Sequence, residues 1–332
     1  MKRILYVSAL FVCTFLTSCA DKPVKLIFET DMGNDVDDVL CQVLINQYVE
    51  QGSVDCLMMG INKTGTAPAA FTDLVNTFYG HGDIPIALAR NGVQEPDSSS
   101  YAYIVSNMKG ENGQFIYPRS YGDYSSLPDA VTMYRKVLSG QEDGSVVIAS
   151  VGFSTNLAQL METGADQYSP LSGMELIRKK VKSLAVMAGS FNGLGHGEYN
   201  VIMDIPAARK VFAEWPTEVI ISPWELGVDV LYPVKSIQND FTWVKRHPMV
   251  DAFKNYGDSY PSDRPSWDPT VVLYAVEGTK WFNVSAPIDV RVDDEGRTLF
   301  TPNPNGNRYF LYVTPEQIKA IEDYFVRMAT RH

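Results

Sequence analysis

Short apolar runs and longer amphipathic segments alternate along most of the chain. Apolar runs of this length, bounded by Gly, Asp or Ser, are typical of buried strands, whereas apolar residues spaced three and four positions apart are typical of helices. Their alternation predicts an α/β fold with a mostly parallel sheet. We predict strands at residues 26–28, 54–60, 84–88, 146–150, 183–187 and 218–221.

The intervening helical segments complete an open, Rossmann-like sheet flanked by helices. Helices are predicted at residues 39–51, 67–79, 130–138, 155–161, 205–214, 269–276 and 315–329. Thr314 is placed to cap the last of them, because its hydroxyl can accept a hydrogen bond from a backbone N–H of the first turn. Residues 91–126 are rich in Ser, Gly, Asn and Tyr and lack periodicity. We therefore expect a long loop there that acts as a lid or binding loop.

Residues 1–19 have the composition of an export signal. Lys2 and Arg3 precede an apolar stretch, residues 4–16, that is too short for an ordinary membrane-spanning helix. The stretch ends Leu-Thr-Ser-Cys19, which resembles the cleavage site of bacterial lipoproteins. We predict a signal peptide over residues 1–19, lipidation of Cys19, one domain over residues 23–332 and a lipid-anchored protein of the cell envelope, periplasmic or surface-exposed. A plain secretory signal or an uncleaved anchor is the alternative.

Composition and charge narrow the possible partners. The chain is 45% hydrophobic, enough for a large core, and its 39 acidic against 28 basic residues give a net charge of −11. That charge disfavours nucleic acid as a partner. Beyond the signal only Cys41 and Cys56 remain. Both have apolar neighbours and are expected to be core residues, although a bridge between them stays open.

Five carboxylates follow the first predicted strand within ten residues: Glu29, Asp31, Asp35, Asp37 and Asp38. Such a group is strongly self-repelling unless positive charge neutralises it. A hard cation such as Ca²⁺ takes carboxylate and carbonyl oxygens at about 2.3–2.6 Å. This loop therefore predicts a Ca²⁺ site, and the alternative is a solvated acidic loop that caps the next helix.

Polar residues also follow the other predicted strands. Asn62 follows the second strand, residues 152–156 follow the fourth, and residues 188–192 with Glu198 and Asn200 follow the fifth. Ligands of open α/β sheets bind beyond the carboxyl ends of the strands. The shared position of these groups predicts a pocket for a polar small molecule.

Taken in order, these blocks resemble the nucleoside hydrolase family, the calcium-dependent N-ribohydrolases similar to inosine–uridine-preferring enzymes. The acidic stretch Glu-Thr-Asp-Met-Gly-Asn-Asp-Val-Asp-Asp, residues 29–38, resembles the family's Asp-Thr-Asp-Pro-Gly-x-Asp-Asp. Further resemblances are carried by Asn62, residues 147–157, residues 186–191, Glu198-Tyr199-Asn200 with residues 204–208, and Trp267-Asp268-Pro269, which stands where the family has His-Asp-Pro.

The resemblance implies a role for each matching residue. Asp31, Asp38 and Asp268 would hold Ca²⁺ through carboxylates and Thr155 through its backbone carbonyl. Asp31 would also take a proton from a calcium-bound water that attacks the anomeric carbon. The substrate would be a ribonucleoside, split into free base and ribose, and a homo-oligomer is implied in the same way. The ribose would be bound by Asp37, Asn62, Asn192, Glu198 and Asn200.

Three departures from the family pattern keep alternatives open. Glu29 replaces an aspartate, and the acidic stretch is two residues longer, so Asp35 or Asp37 could take the ribose-binding role; we favour Asp37 because it adjoins Asp38. Trp267 replaces the histidine that assists the leaving group. Tryptophan does not titrate usefully. Purine-preferring branches of the family look similar at this position, and that resemblance implies that Trp267 stacks on a purine base; the alternative is that it merely packs in the core. The alternative functions are a lipid-tethered calcium- and sugar-binding protein, or a hydrolase of another ribosyl or glycosyl compound.

Overall fold

The computed structural model describes residues 22–94, 99–192, 194–257 and 260–332. The predicted signal peptide, with Cys19, lies outside these ranges, so the lipid anchor and the location in the cell envelope stay predictions. Within the described ranges no helix is both long enough and apolar enough to cross a membrane.

One mixed sheet of ten strands forms the centre of the molecule. Nine strands follow the spatial order β11-β10-β12-β6-β5-β4-β1-β2-β3, and β9 pairs with β12; β7 and β8 form a separate pair. The strands are β1 Val24–Thr30, β2 Val54–Ile61, β3 Ile86–Leu88, β4 Val146–Ser150, β5 Val181–Met187, β6 Glu218–Ser222, β7 Leu231–Tyr232, β8 Arg264–Pro265, β9 Asn283–Val284, β10 Ile288–Val292, β11 Thr298–Pro302 and β12 Arg308–Tyr312. The run from β6 to β3 is parallel throughout, which confirms the predicted sheet type.

Alternate side chains of the central strands enter two different cores. Leu26 and Phe28 of β1 lie in the core on one face of the sheet, whereas Ile27 lies in the core on the other. Val147 and Ile148 of β4 divide in the same way. Because both faces are buried, these strands are continuously apolar, and this is why the sequence predicts them well.

Helices cover both faces of the sheet, so that the fold has three layers, helix, sheet and helix. The helices are α1 Asp37–Glu50, α2 Ala67–Phe78, α3 Tyr101–Ser106, α4 Ala130–Ser139, α5 Thr155–Met161, α6 Gly173–Lys180, α7 Tyr199–Ile202, α8 Ile205–Glu214, α9 Trp224–Gly227, α10 Val234–Asn239, α11 Pro248–Lys254, α12 Trp267–Glu277 and α13 Pro315–Ala329. Helices α1, α2, α12 and α13 contribute to one core. Helices α4, α5, α6 and α8 contribute to the other.

Several predicted boundaries are confirmed and others are wrong. Helix α13 has the predicted bounds, and the Thr314 side chain accepts from the Gln317 backbone N–H. Strand β3 begins two residues later than predicted, after Pro85, which has no N–H to donate. Helices α1 and α12 each begin two residues earlier than predicted, so their first turns contain acidic residues of the cavity described below.

The composition of the segment 91–126 predicted a continuous loop, and this prediction is wrong. The segment contains α3, whose first turn is capped by the Ser100 side chain, and a short 3-10 turn at Tyr124–Ser126. Asp73 of α2 is fully buried and accepts from the backbone N–H groups of Ser120 and Tyr121. Local periodicity could not reveal α3, because it is only six residues long.

Cys41 and Cys56 are both free and buried. The disulfide that the sequence left open is therefore not formed, and both thiols serve as small core groups.

Candidate active site

A cavity of about 550 Å³ opens where β1, β4, β5 and β6 end. Polar and aromatic groups from these strand ends line it together with residues of α1, α3 and α12. The lining comprises Asp31, Gly33, Asn34, Asp35, Asp37, Asp38, Ser99, Ser100, Tyr101, Val151, Met187, Glu198, Tyr199, Asn200, Trp224, Asn255, Tyr256, Gly257, Trp267 and Asp268. Its position agrees with the rule for ligands of open α/β sheets.

Two helix N-termini bring three carboxylates of the lining together. Asp37 and Asp38 lie in the first turn of α1, and Asp268 lies in the first turn of α12. Each offers one oxygen, and these oxygens lie within 4.8 Å of one another. We call Asp37, Asp38 and Asp268 the acidic triad. The backbone N–H of Asp268 donates to Asp37 Oδ2 at 3.0 Å, which connects the two helix ends directly.

Burial makes the charged form of the acidic triad costly. It raises the pKa of Asp37, Asp38 and Asp268 well above the usual range, and repulsion between neighbouring carboxylates adds to the effect. Thr30 donates to Asp38 Oδ1, but Asp38 Oδ2 is buried and has no hydrogen-bond partner within the described residues. An unpaired carboxylate oxygen beside two others is the donor set that a hard divalent cation prefers. The triad therefore fits such an ion.

Asp31 lies at the end of β1 and is 3% exposed. Burial raises its pKa, and the nearby ammonium of Lys63 opposes that effect. Gly152 lies close against it, since an added Cβ there would come within 2.7 Å of the Asp31 backbone nitrogen and of Asn62 Oδ1. Asn62 is fully buried behind this contact and does not line the cavity.

Asp35 is held by an arginine. Arg264 Nε donates to Asp35 Oδ1 at 2.9 Å, and a second guanidinium nitrogen contacts Asp35 Oδ2. The same guanidinium lies over the rings of Tyr256 and Trp267, 4.9 and 5.4 Å from their centroids. Asp35 is thus occupied by a bidentate ion pair, whereas Asp37 is in the acidic triad. This geometry favours Asp37 over Asp35 as a ligand-binding carboxylate.

Five aromatic side chains line the same cavity as the acidic groups, and we call them the aromatic wall: Tyr101, Tyr199, Trp224, Tyr256 and Trp267. The indole N–H of Trp267 donates to the Trp224 carbonyl at 3.0 Å. Gly227 lies against the same indole, because an added Cβ would come within 2.4 Å of Trp267 Cδ1. Trp267 is half-buried, so it packs against Gly227 and also lines the cavity.

Glu198 and Asn200 line the cavity near the carboxyl ends of β4 and β5. Glu198 accepts from the backbone N–H groups of Gly189 and Asn200, and burial raises its pKa to about 7. The Asn200 amide donates to the carbonyls of Val151 and Met187, at 2.9 and 3.1 Å. Asn200 therefore joins the ends of two strands as well as lining the cavity.

The structure brings most, but not all, of the predicted site residues together. Asp31, Asp35, Asp37, Asp38, Glu198, Asn200, Trp267 and Asp268 line the cavity, whereas Asn62, Thr155 and Asn192 do not. The Thr155 hydroxyl donates to Asp204 Oδ2 at 2.5 Å, and Asn192 is exposed. Sequence reasoning missed Arg264 and Tyr101, because neither stands within a matching block and their partners in the acidic segment are far away along the chain.

Glu29 is accommodated by a glycine on the neighbouring strand. It is fully buried, accepts from the Asn156 amide, and burial raises its pKa to about 7. A Cβ on Gly60 would come within 2.0 Å of Glu29 Oε1. The extra methylene of Glu29, relative to the aspartate of the resemblance, thus occupies space that Gly60 leaves open.

We therefore expect Gly60→Ala to reduce the free energy of unfolding by about 1–3 kcal/mol, because the buried glutamate cannot move aside without losing Asn156. Glu29→Asp in the same chain should restore most of that loss. Urea denaturation of the single and double variants measures both effects. Equal losses for Gly60→Ala with either residue at position 29 would contradict the contact.

Comparison with known proteins identifies the family. The family model for inosine-uridine preferring nucleoside hydrolases matches residues 26–323. No curated protein matches the chain significantly by sequence.

The solved structures of similar fold include nucleoside hydrolases and a bacterial effector protein. The inosine-uridine preferring nucleoside hydrolase of Bacillus anthracis is 18% identical with a TM-score of 0.67, covering 92% of this chain and 99% of that one. The purine-preferring ribonucleoside hydrolase of Gardnerella vaginalis is 19% identical with a TM-score of 0.66, covering 92% and 99%. The type III effector XopQ, complexed with adenosine diphosphate ribose, is 14% identical with a TM-score of 0.66, covering 94% and 96%.

At these identities the structural likeness establishes the fold alone. The family model, however, spans nearly the whole described chain, and its range contains the acidic loop, the strand-end polar residues and the aromatic wall. We conclude that the chain belongs to the inosine-uridine preferring nucleoside hydrolase family, a family of enzymes.

Proposed function

We propose that this protein hydrolyses the N-glycosidic bond of a ribonucleoside to free base and ribose. The observation that carries the proposal is one cavity lined both by buried carboxylates and by the aromatic wall. Carboxylates suit the hydroxyls and the developing positive charge of a ribosyl group, and aromatic rings suit a planar base.

The acidic triad is proposed to hold Ca²⁺, with Asp31 beside it as a further ligand. Five of the carboxylates that line the cavity, Asp31, Asp35 and the acidic triad, have two cations near them, Lys63 and Arg264, neither of which lines the cavity. If all are ionised, three negative charges stay uncompensated, which a divalent cation would largely offset. When bound, the ion would supply positive charge that makes a nearby water easier to deprotonate.

Asp31 is proposed to be the general base. It is buried at the end of β1, lines the cavity and lies beside the acidic triad, so it can accept a proton from a water held between the metal site and the sugar. Glu198 and Asp37 are proposed to bind ribose hydroxyls. Both line the cavity and are oriented by backbone N–H groups: one donates to Asp37 Oδ2, and one donates to each carboxylate oxygen of Glu198.

A second candidate is hydrolysis or binding of a different ribosyl compound. It is favoured by one observation: no histidine is among the residues that line the cavity in the described chain, and His196, although close to Glu198 in sequence, is exposed. Leaving groups that need no protonation would tolerate this arrangement. The adenosine diphosphate ribose bound to XopQ makes that compound a reasonable member of a test panel.

The test is incubation of purified protein with purine ribonucleosides, pyrimidine ribonucleosides and adenosine diphosphate ribose, with and without chelator. Release of free base and of reducing sugar is measured. Chelator-sensitive release from nucleosides is the expected result, restored by added Ca²⁺. Release from none of the nucleosides, with a sugar still bound, would reject the proposal in favour of the second candidate.

Trp267→Ala is expected to lower kcat/KM for purine ribonucleosides by about 5- to 100-fold, because stacking of a base on an aromatic ring contributes about 1–3 kcal/mol. Pyrimidine nucleosides, with a smaller ring system, should lose less. Trp267→Phe is the matched control, since it keeps a ring without the indole N–H. A small, equal loss for every nucleoside would instead assign Trp267 to packing against Gly227.

A further inference from the structure

Lys63 is a buried cation beside the acidic loop, residues 31–38. It follows β2, is 1% exposed, and its ammonium donates to Asn34 Oδ1 at 3.0 Å. Burying a lysine is costly unless its charge is compensated. Lys63 is in none of the sequence blocks that indicated the site, and it does not line the cavity.

Asn34 connects Lys63 to Asp31. The Asn34 amide nitrogen donates to Asp31 Oδ2, and its amide oxygen accepts from Lys63. An ammonium group can only donate, so it must face the amide oxygen; the amide nitrogen is then directed at the carboxylate. A reversed amide would place N–H groups against the ammonium, so Lys63 fixes the orientation of Asn34.

We propose that Asn34 and Lys63 are positioning residues that hold the Asp31 carboxylate in one orientation. One Asp31 oxygen is occupied by Asn34 and the other is left for the cavity, while Gly152 packs against the Asp31 backbone. Hydrogen bonds to a reacting or metal-binding carboxylate commonly fix its geometry in this way. The assignment rests on the proposed role of Asp31, but its contacts are independent of the substrate.

Lys63 could instead act only by offsetting the negative charge of the acidic triad. The two roles differ in how Asn34 behaves. If Lys63 acts through Asn34, then removing Asn34 matters only while Lys63 is present. If Lys63 acts by charge alone, the two residues contribute independently and their effects add.

The experiment compares Asn34→Ala, Asn34→Asp, Lys63→Met and the double variant Asn34→Ala/Lys63→Met in the full chain. Each single change is expected to lower kcat by about 10- to 100-fold with KM changed less than about threefold, as for other residues that orient a ligand or base. Asn34→Asp should lose as much as Asn34→Ala, because aspartate still accepts from Lys63 but does not donate to Asp31. The double variant should lose no more than the worse single variant. Lys180→Met is the control and should leave kcat unchanged. It removes a partly buried lysine directly before β5, at the end of that strand away from the cavity.

A second readout does not depend on catalysis. In calorimetric titration with Ca²⁺ alone, Asn34→Ala, which alters no charge, should bind the ion about 10-fold more weakly than the wild type. The double variant should bind the ion little more weakly than Lys63→Met. If the wild type hydrolyses no nucleoside, the proposed function fails while this titration still decides the positioning role. Additive effects of the two changes, or wild-type Ca²⁺ affinity and kcat for Asn34→Ala, would overturn the inference. Thermal unfolding of each variant identifies any that fails to fold; if Asn34→Ala fails, Asn34→Asp, the closest in size, replaces it in the kinetic comparison.

Discussion

Replacement of Asp31 by asparagine is expected to lower kcat by about 100-fold or more, which is the usual contribution of a positioned general base. Asparagine has nearly the same size, so the packing against Gly152 should be kept. What is lost is the ability to accept a proton. Initial rates of base release under saturating nucleoside and Ca²⁺ measure the effect, and saturation with Ca²⁺ separates lost catalysis from weakened ion binding.

The control for Asp31→Asn is Asp73→Asn. Asp73 is also a buried carboxylate that accepts several hydrogen bonds, but its donors, Thr77 and residues of the segment 120–124, do not line the cavity. Its substitution should change kcat by less than about threefold while reducing stability. Wild-type turnover by Asp31→Asn at saturating Ca²⁺ would assign the general base to another group.

Asp38→Asn is expected to weaken Ca²⁺ binding by roughly 100-fold or more, because the number of charged ligands largely sets the affinity of such sites. Thr30 can still donate to the remaining Oδ1, so the substitution changes mainly the unpartnered Oδ2. Without metal, however, the variant should be more stable than the wild type. Burial and repulsion from Asp31 and Asp37 both disfavour the Asp38 carboxylate in the folded protein, and its raised pKa expresses that cost.

Two measurements test this pair of opposite effects. Thermal unfolding in chelator should give a higher Tm for Asp38→Asn than for the wild type, and the stabilisation by added Ca²⁺ should largely disappear. Asp35→Asn is the contrast within the same loop. Because Asp35 is paired with Arg264, its substitution should lower the Tm in chelator and change Ca²⁺ affinity little. A wild-type Ca²⁺ response in Asp38→Asn would place the ion elsewhere.

The central sheet could be predicted because its physical cause is local. Strands β1, β2, β4, β5 and β6 are buried on both faces, so they are continuously apolar and stand out from their neighbours. The three strands β10, β11 and β12 were missed. They extend the sheet in antiparallel pairs, and β11 is mostly exposed, so its residues do not form an apolar run. Their presence depends on pairing with β6 through β12.

The candidate site divides in the same way. The sequence by itself determined that Asp31 follows a buried strand and that Asp37 and Asp38 lie at the start of the next helix, because these elements are consecutive in the chain. Strand order then brings Glu198 and Asn200 to the same edge, which follows from the parallel topology. The identity of the residues therefore indicated a polar pocket at the carboxyl ends of the strands.

Only the tertiary structure decided which charges are paired. Arg264 binds Asp35 from a distance of 229 positions along the chain, and Lys63 contacts Asn34 from 29 positions away. Asp38 Oδ2 has no partner within the described chain, although Asp35 and Asp38 are only three residues apart in the sequence. Charge pairing depends on distances of a few ångströms between side chains from separate elements. Such distances are set by packing and cannot be read from the order of residues.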